Sequence, residues 1–142
     1  MRSESARMSS AAEARFRIPS GAAVSRRIAV AALDPAGERL VSRLSQQAWT
    51  NVGFMPPGAL DGIAGADLVV MLAAAGGDAS AAAAIGQVCS DRRIHTATFV
   101  IRPSAATDEA LSRTLAQVRP WSLMVVVLSD ESYVEDLLRS FR

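Results

Sequence analysis

Apolar residues in this chain gather in short dense runs, separated by stretches in which they recur every three or four positions. Residues 28–33 are the first dense run, closed by Asp34-Pro35-Ala36-Gly37, and read as a buried strand followed by a turn. A helix is predicted over about 37–48, with Leu40, Val41, Leu44 and Ala48 on one face. Residues 51–55 read as a short second strand stopped by Pro56-Pro57-Gly58, and 59–65 leave room for a turn or two of helix. Residues 67–73 are apolar after the leading Asp67, the pattern of a strand covered on both faces. A small-residue loop follows, then a helix over 78–92 that is almost all alanine at its start.

The second half repeats the alternation. Residues 95–101 are a β-branched strand closed by Arg102-Pro103. Thr107 is placed to cap a helix whose first turn carries Asp108 and Glu109, favourable to the helix dipole. Leu111, Leu115 and Val118 give that helix a core stripe, and Pro120 breaks it. Residues 121–128 are the last predicted strand, and Ser129-Asp130 open a helix with Val134, Leu137, Leu138 and Phe141 at helical spacing. Strands alternating with helices of this length mean an α/β protein of three αβα layers, a doubly wound, Rossmann-like parallel sheet of about five strands. Ligands in such sheets bind beyond the carboxyl ends of the strands. The loops to inspect are therefore 34–38, 74–80, 102–106 and 129–132.

Composition narrows the chemistry. With 142 residues, half of them hydrophobic, the chain can bury one real core, here assigned to a single domain over 28–142. No apolar run reaches the ~18 residues that would span a bilayer, so no membrane span is expected. The formal net charge is only +1. It is unevenly placed: residues 1–27 carry Arg2, Arg7, Arg15, Arg17, Arg26 and Arg27 against Glu4 and Glu13. That segment reads as a flexible Arg/Ser/Ala-rich arm. The body is slightly acidic, which argues against nucleic acid as the partner. There is no lysine anywhere. A Walker A loop, Schiff-base chemistry and a phospho-receiver site each need one, so all three are excluded. Cys89 and His95 are each the sole residue of their type, which leaves no intrachain disulfide and no Cys/His zinc site; a Ser–His–Asp arrangement would have only His95 to use, and the sequence has no Gly-x-Ser-x-Gly elbow. A reducing cytoplasm is the expected compartment.

Ala66-Asp67-Leu68-Val69-Val70, the loop containing Gly76-Gly77, the alanine-rich helix and Ile94-x-Thr96-x-x-x-Val100-x-Arg102-Pro103 together resemble the N-terminal nucleotide-binding half of the bacterial tubulin homologue FtsZ. In that family a strand beginning Ala-Asp leads into a Gly-Gly-Gly-Thr-Gly-Thr-Gly loop, a helix, and a strand ending near Arg-Pro. The segment from Glu109 to Arg119 and then Leu123 to Asp130 resembles the next helix and strand, and the likeness spans roughly 28–138 in order and spacing. It implies a guanine nucleotide held by the loops at 34–38 and 74–80.

The departures point the other way. Of the family's first glycine loop only Gly37 keeps its type; Pro35 removes an N–H and Asp34 adds a negative charge. In the second loop Gly76 and Gly77 survive, but Asp78, Ala79 and Ser80 replace the later Gly and Thr. A carboxylate at Asp78, at the start of a helix, is expected to take the anion's place. The segment between the second and third strands is shortened, and the family's GTP-hydrolysing aspartates come from a later loop than any here. Self-sufficient GTP hydrolysis is therefore not expected.

The candidate ligand or phosphate residues are Asp34, Gly37, Gly76, Gly77, Asp78, Ser80, Arg102 and Asp130. Each has a plainer structural reading: a helix cap for Asp78, Ser80 and Asp130, a tight strand–helix turn for Gly76-Gly77, a solvated strand-end cation for Arg102. His95 and Cys89 read as packing or surface residues. Arg15, Arg17, Trp49 and Trp121 are the candidate partner anchors, since Trp and Arg dominate such contacts. The expectation is a non-catalytic accessory protein with no cofactor, docking to a larger complex through the arm, with self-association open. The alternative is a small-molecule or guanine-nucleotide binder using the two loops.

Overall fold

Five parallel strands in the order β2-β1-β3-β4-β5 form the centre of the molecule, which is a computed structural model describing residues 26–56 and 58–141. The strands are β1 (Ile28–Ala32), β2 (Val52–Phe54), β3 (Leu68–Ala74), β4 (His95–Ile101) and β5 (Met124–Leu128). The helices are α1 (Pro35–Leu44), α2 (Ala82–Arg92), α3 (Asp108–Val118) and α4 (Ser132–Phe141). Single 3-10 turns at Asp61–Ile63 and Arg119–Trp121 complete the connections. This is the expected doubly wound sheet, with parallel pairing at all four strand contacts.

β3 and β4 pair over seven residues, from Leu68 opposite His95 to Ala74 opposite Ile101, and bury nearly every side chain. Alternate residues of each strand feed opposite layers, as a pleated strand must. One layer joins Ala29, Ala31, Val69, Met71, Ala73 and Val100 to Ile85 and Cys89 of α2 and Val118 of α3. The other joins Val30, Val70, Leu72 and Phe99 to Leu40 and Leu44 of α1 and Val134 and Leu138 of α4. Small residues set the distance between layers. A Cβ on Gly86 of α2 would lie 2.5 Å from the Trp121 Cβ, so the helix approaches the 3-10 turn as closely as its backbone allows.

Three boundaries differ from the sequence pattern. α1 starts at Pro35 and stops at Leu44, because Asp34 caps it and Pro35 fits its first turn. Trp49 consequently lies in the loop after α1. β5 starts at Met124, since the backbone at 119–121 first makes a 3-10 turn that takes Trp121 out of the strand. α2 starts at Ala82 rather than Asp78, and its N-cap, Ala81, offers no side-chain hydrogen bond. Asp78 therefore does not stand at a helix N-terminus. Its side chain accepts from the Ser80 N–H at 3.0 Å, a local turn that competes with helix formation.

The Arg-rich segment through residue 25, with Arg15 and Arg17, lies outside the described residues. Arg27 already belongs to the folded body: its N–H donates to Asp67 Oδ2 at 2.9 Å, and its carbonyl accepts from Asp67 and Leu68. Among the described residues, no helix is long and apolar enough to cross a membrane.

Candidate functional site at the switch point

The chain leaves β1 toward β2 and leaves β3 toward β4, so the carboxyl ends of β1 and β3 form the topological switch point of the sheet. Four of the residues singled out from the sequence meet there: Asp34, Gly37, Gly76 and Gly77.

Asp34 holds the place together. It is 4% exposed and adopts the extended backbone of an N-cap. Its Oδ1 accepts from the Gly37 N–H at 2.7 Å, which caps α1. Its Oδ2 accepts from the Ala74 N–H at 2.9 Å, at the end of β3. One buried carboxylate thus bridges the two loops. The glycines fit around it. A Cβ on Gly77 would come within 2.2 Å of Asp34 Oδ2, and one on Gly37 within 2.4 Å of the Leu72 carbonyl oxygen. Gly76 has φ +91, a left-handed conformation that favours glycine. These glycines admit close approach of the protein to itself, around an internal anion.

Four N–H groups of the second loop, where a phosphate would sit, are engaged by the protein. Ala75 donates to the Ile101 carbonyl at 2.8 Å and Gly77 to the Ala74 carbonyl at 3.0 Å. Gly76 donates to Thr114 Oγ1 at 3.0 Å and Ala79 to Gln117 Oε1 at 2.8 Å. Gln117 Nε2 then donates to Asp78 Oδ1 at 3.0 Å. Thr114 and Gln117 lie three apart on α3, so both side chains face the loop and clamp it. Sequence reasoning missed both, because their partners are 38 or 39 residues away and no motif marks them.

Asp78 is exposed. The Ser80 N–H, the Ser80 hydroxyl and the Gln117 amide together hold its carboxyl below the ordinary carboxylate range. Asp130 behaves alike at the far side of the sheet. It accepts from the Ser132 N–H at 2.8 Å at the start of α4, and Ser132 lowers its pKa. Arg102, at the end of β4, forms an ion pair with Asp108 in the first turn of α3. Neither Arg102 nor Asp130 joins the Asp34 cluster. His95 is exposed at the opposite, amino-terminal end of β4. Cys89 is buried in α2, where burial raises its thiol pKa.

The two tryptophans are built into the body. Trp49 donates to the Leu44 carbonyl at 2.7 Å, meets Phe54 edge-on at 5.7 Å, and carries the Arg139 guanidinium 4.1 Å above its ring. Trp121 packs on α2, and its carbonyl accepts from the Thr96 hydroxyl at 2.7 Å.

On the α2 side of the β1 end, a small apolar hollow of about 150 Å³ opens to solvent. Ala31, Ala32, Met55, Leu60, Ala84 and Ile85 form much of its wall, and no described residue lining it is charged. Among the described residues, no three His, Cys, Asp or Glu side chains gather in a metal-binding group. The class that fold and site define is a doubly wound α/β protein with a self-satisfied switch point. No protein-family model matches the chain, and no curated protein matches it.

Proposed function

We propose that this chain is a non-catalytic interaction protein, an accessory component that docks to a larger protein assembly. In this reading the scaffold is an FtsZ-like nucleotide-binding domain whose phosphate loop has become structural. The observation that carries it is the buried Asp34 carboxylate, accepting from both loops at the switch point. A polyphosphate arriving there would face a buried negative charge and donors already bonded to Asp34, Thr114 and Gln117. The apolar hollow beside it suits an aliphatic or aromatic side chain better than a charged ligand. The Arg-rich residues 1–25 serve as a tether in the cytoplasm, attracted to acidic surfaces.

The test is a thermal-shift and calorimetric series with GTP, GDP, ATP, NAD and S-adenosylmethionine. A ligand present at ~100 times its Kd adds about 2.7 kcal/mol of stability, a shift of several degrees in Tm. The expected result is no shift with any of the five at millimolar concentration. Micromolar binding of GTP or GDP would establish the second reading, a nucleotide binder, instead. A pull-down comparing the full chain with one beginning at Arg26 tests the tether: partner recovery should fall without the arm, and undiminished recovery would remove it from the proposal.

A further inference from the structure

The two edges of the sheet are built differently. β2 is three residues long, and Pro56 follows one residue beyond its end, so it presents little backbone for pairing. β5 is open along five residues, and the stretch from Leu123 to Leu128 contains no charge and no proline. Leu123 is 73% exposed, Met124 41% and Val127 44%, with Tyr133 of α4 51% exposed nearby in sequence. An uncharged, unprotected edge of this kind is a template for another strand.

We propose that a second copy of this chain covers it, with the two β5 strands pairing antiparallel about a two-fold axis at Val126 to give one continuous ten-stranded sheet. Antiparallel pairing is self-complementary and closes at two subunits. It sets Val126 against its own equivalent, Val125 against Val127, and Met124 against Leu128. It also matches charge. Arg119, in the 3-10 turn five positions before the start of β5, is exposed and forms no ion pair among the described residues. Asp130, just beyond β5, is an exposed carboxylate. Antiparallel pairing brings the basic end of each strand to the acidic end of the other. Parallel pairing would set like against like. The surface is separate from the switch point, so the proposal stands whether or not a nucleotide binds there.

Sedimentation equilibrium of the full chain, from about 1 to about 200 µM, should show a reversible dimer of twice the 14.9 kDa chain mass. Val127→Lys places a charge in the seam and should weaken the dimer about tenfold or more. Leu123→Glu, outside the strand and largely exposed, should weaken it in the same direction without touching the core. Val126→Cys should cross-link to itself under mild oxidation, because facing Cβ atoms across an antiparallel pair lie about 4.5–5.5 Å apart. The parent chain should not cross-link, since Cys89 is buried. A folded chain that stays monomeric across that range overturns the proposal. So does a dimer that both charge variants leave intact, or a Val126→Cys chain that dimerises without cross-linking. Open-ended larger species overturn it as well, since a two-fold pair is closed.

Discussion

Asp34 shows how one buried side chain can act as a structural joint at the switch point of a sheet. Its carboxylate accepts from an N–H of each loop and draws the β1 and β3 loops together. Asp34→Ala removes a helix cap and orphans two N–H groups at a buried position. It should cost about 2–4 kcal/mol, read as a lower urea midpoint with unchanged m value. Gly77→Ala drives a methyl group into the same carboxylate. Its cost should therefore shrink when Asp34 is first replaced by Gly. Additive effects in that double-mutant cycle would disprove direct contact. The sequence already placed Asp34 beside the glycines and marked it as hostile to phosphate. It also assigned the anion's position to Asp78. The carboxylate that joins the two loops is instead Asp34, because the Ala74 N–H is supplied by β3, forty residues away.

At the scale of elements, the loop between β3 and α2 is held by α3 rather than by its own helix. Asp78 folds onto Ser80, the helix start slips to Ala82, and Thr114 and Gln117 take two of the freed N–H groups. Thr114→Val keeps the shape of a fully buried side chain but leaves the Gly76 N–H unbonded. A loss of about 1–2 kcal/mol is expected, with faster amide hydrogen exchange at Gly76 and Ala79 while the β3 and β4 amides stay protected. Uniform loss of protection would mean that the loop is not a separately clamped unit. The strands were legible to within a residue or two, except β5, because uninterrupted apolar runs have few other solutions in a protein of this size. Helix ends were less legible. Alanine has no preference between the last residue of a turn and the first of a helix, so the α2 boundary is set by hydrogen bonds to α3.

The molecule as a whole carries an acid sensitivity with a definite sign. The carboxyls of Asp78 and Asp130 are both lowered in the folded chain, the first chiefly by the Ser80 N–H and the second by the Ser132 N–H. A depressed folded pKa gives stability that is present above the unfolded pKa and is lost as pH falls through the folded one. The urea midpoint should therefore hold between pH 6 and 8 and begin to fall below about pH 4. Asp78→Asn with Asp130→Asn should flatten that fall; an equally steep decline in the double variant would place the sensitivity elsewhere. Both carboxylates are exposed, so the decline is modest and weakens with salt.

Hydrophobic periodicity alone determined the class of the fold: apolar runs and amphipathic stretches in alternation admit a parallel sheet between helical layers and little else. Composition alone removed the chemistries that need lysine, paired cysteines or several histidines. The order of the strands, the burial of Asp34 and the clamp from Thr114 and Gln117 were decided by the tertiary structure. Each depends on which distant segments become neighbours, and local sequence does not encode a partner forty residues away. The open flank of β5 belongs to the same group. Its apolar run reads as a buried strand in sequence, and only the strand order places it at the edge of the sheet, where one side has no neighbour.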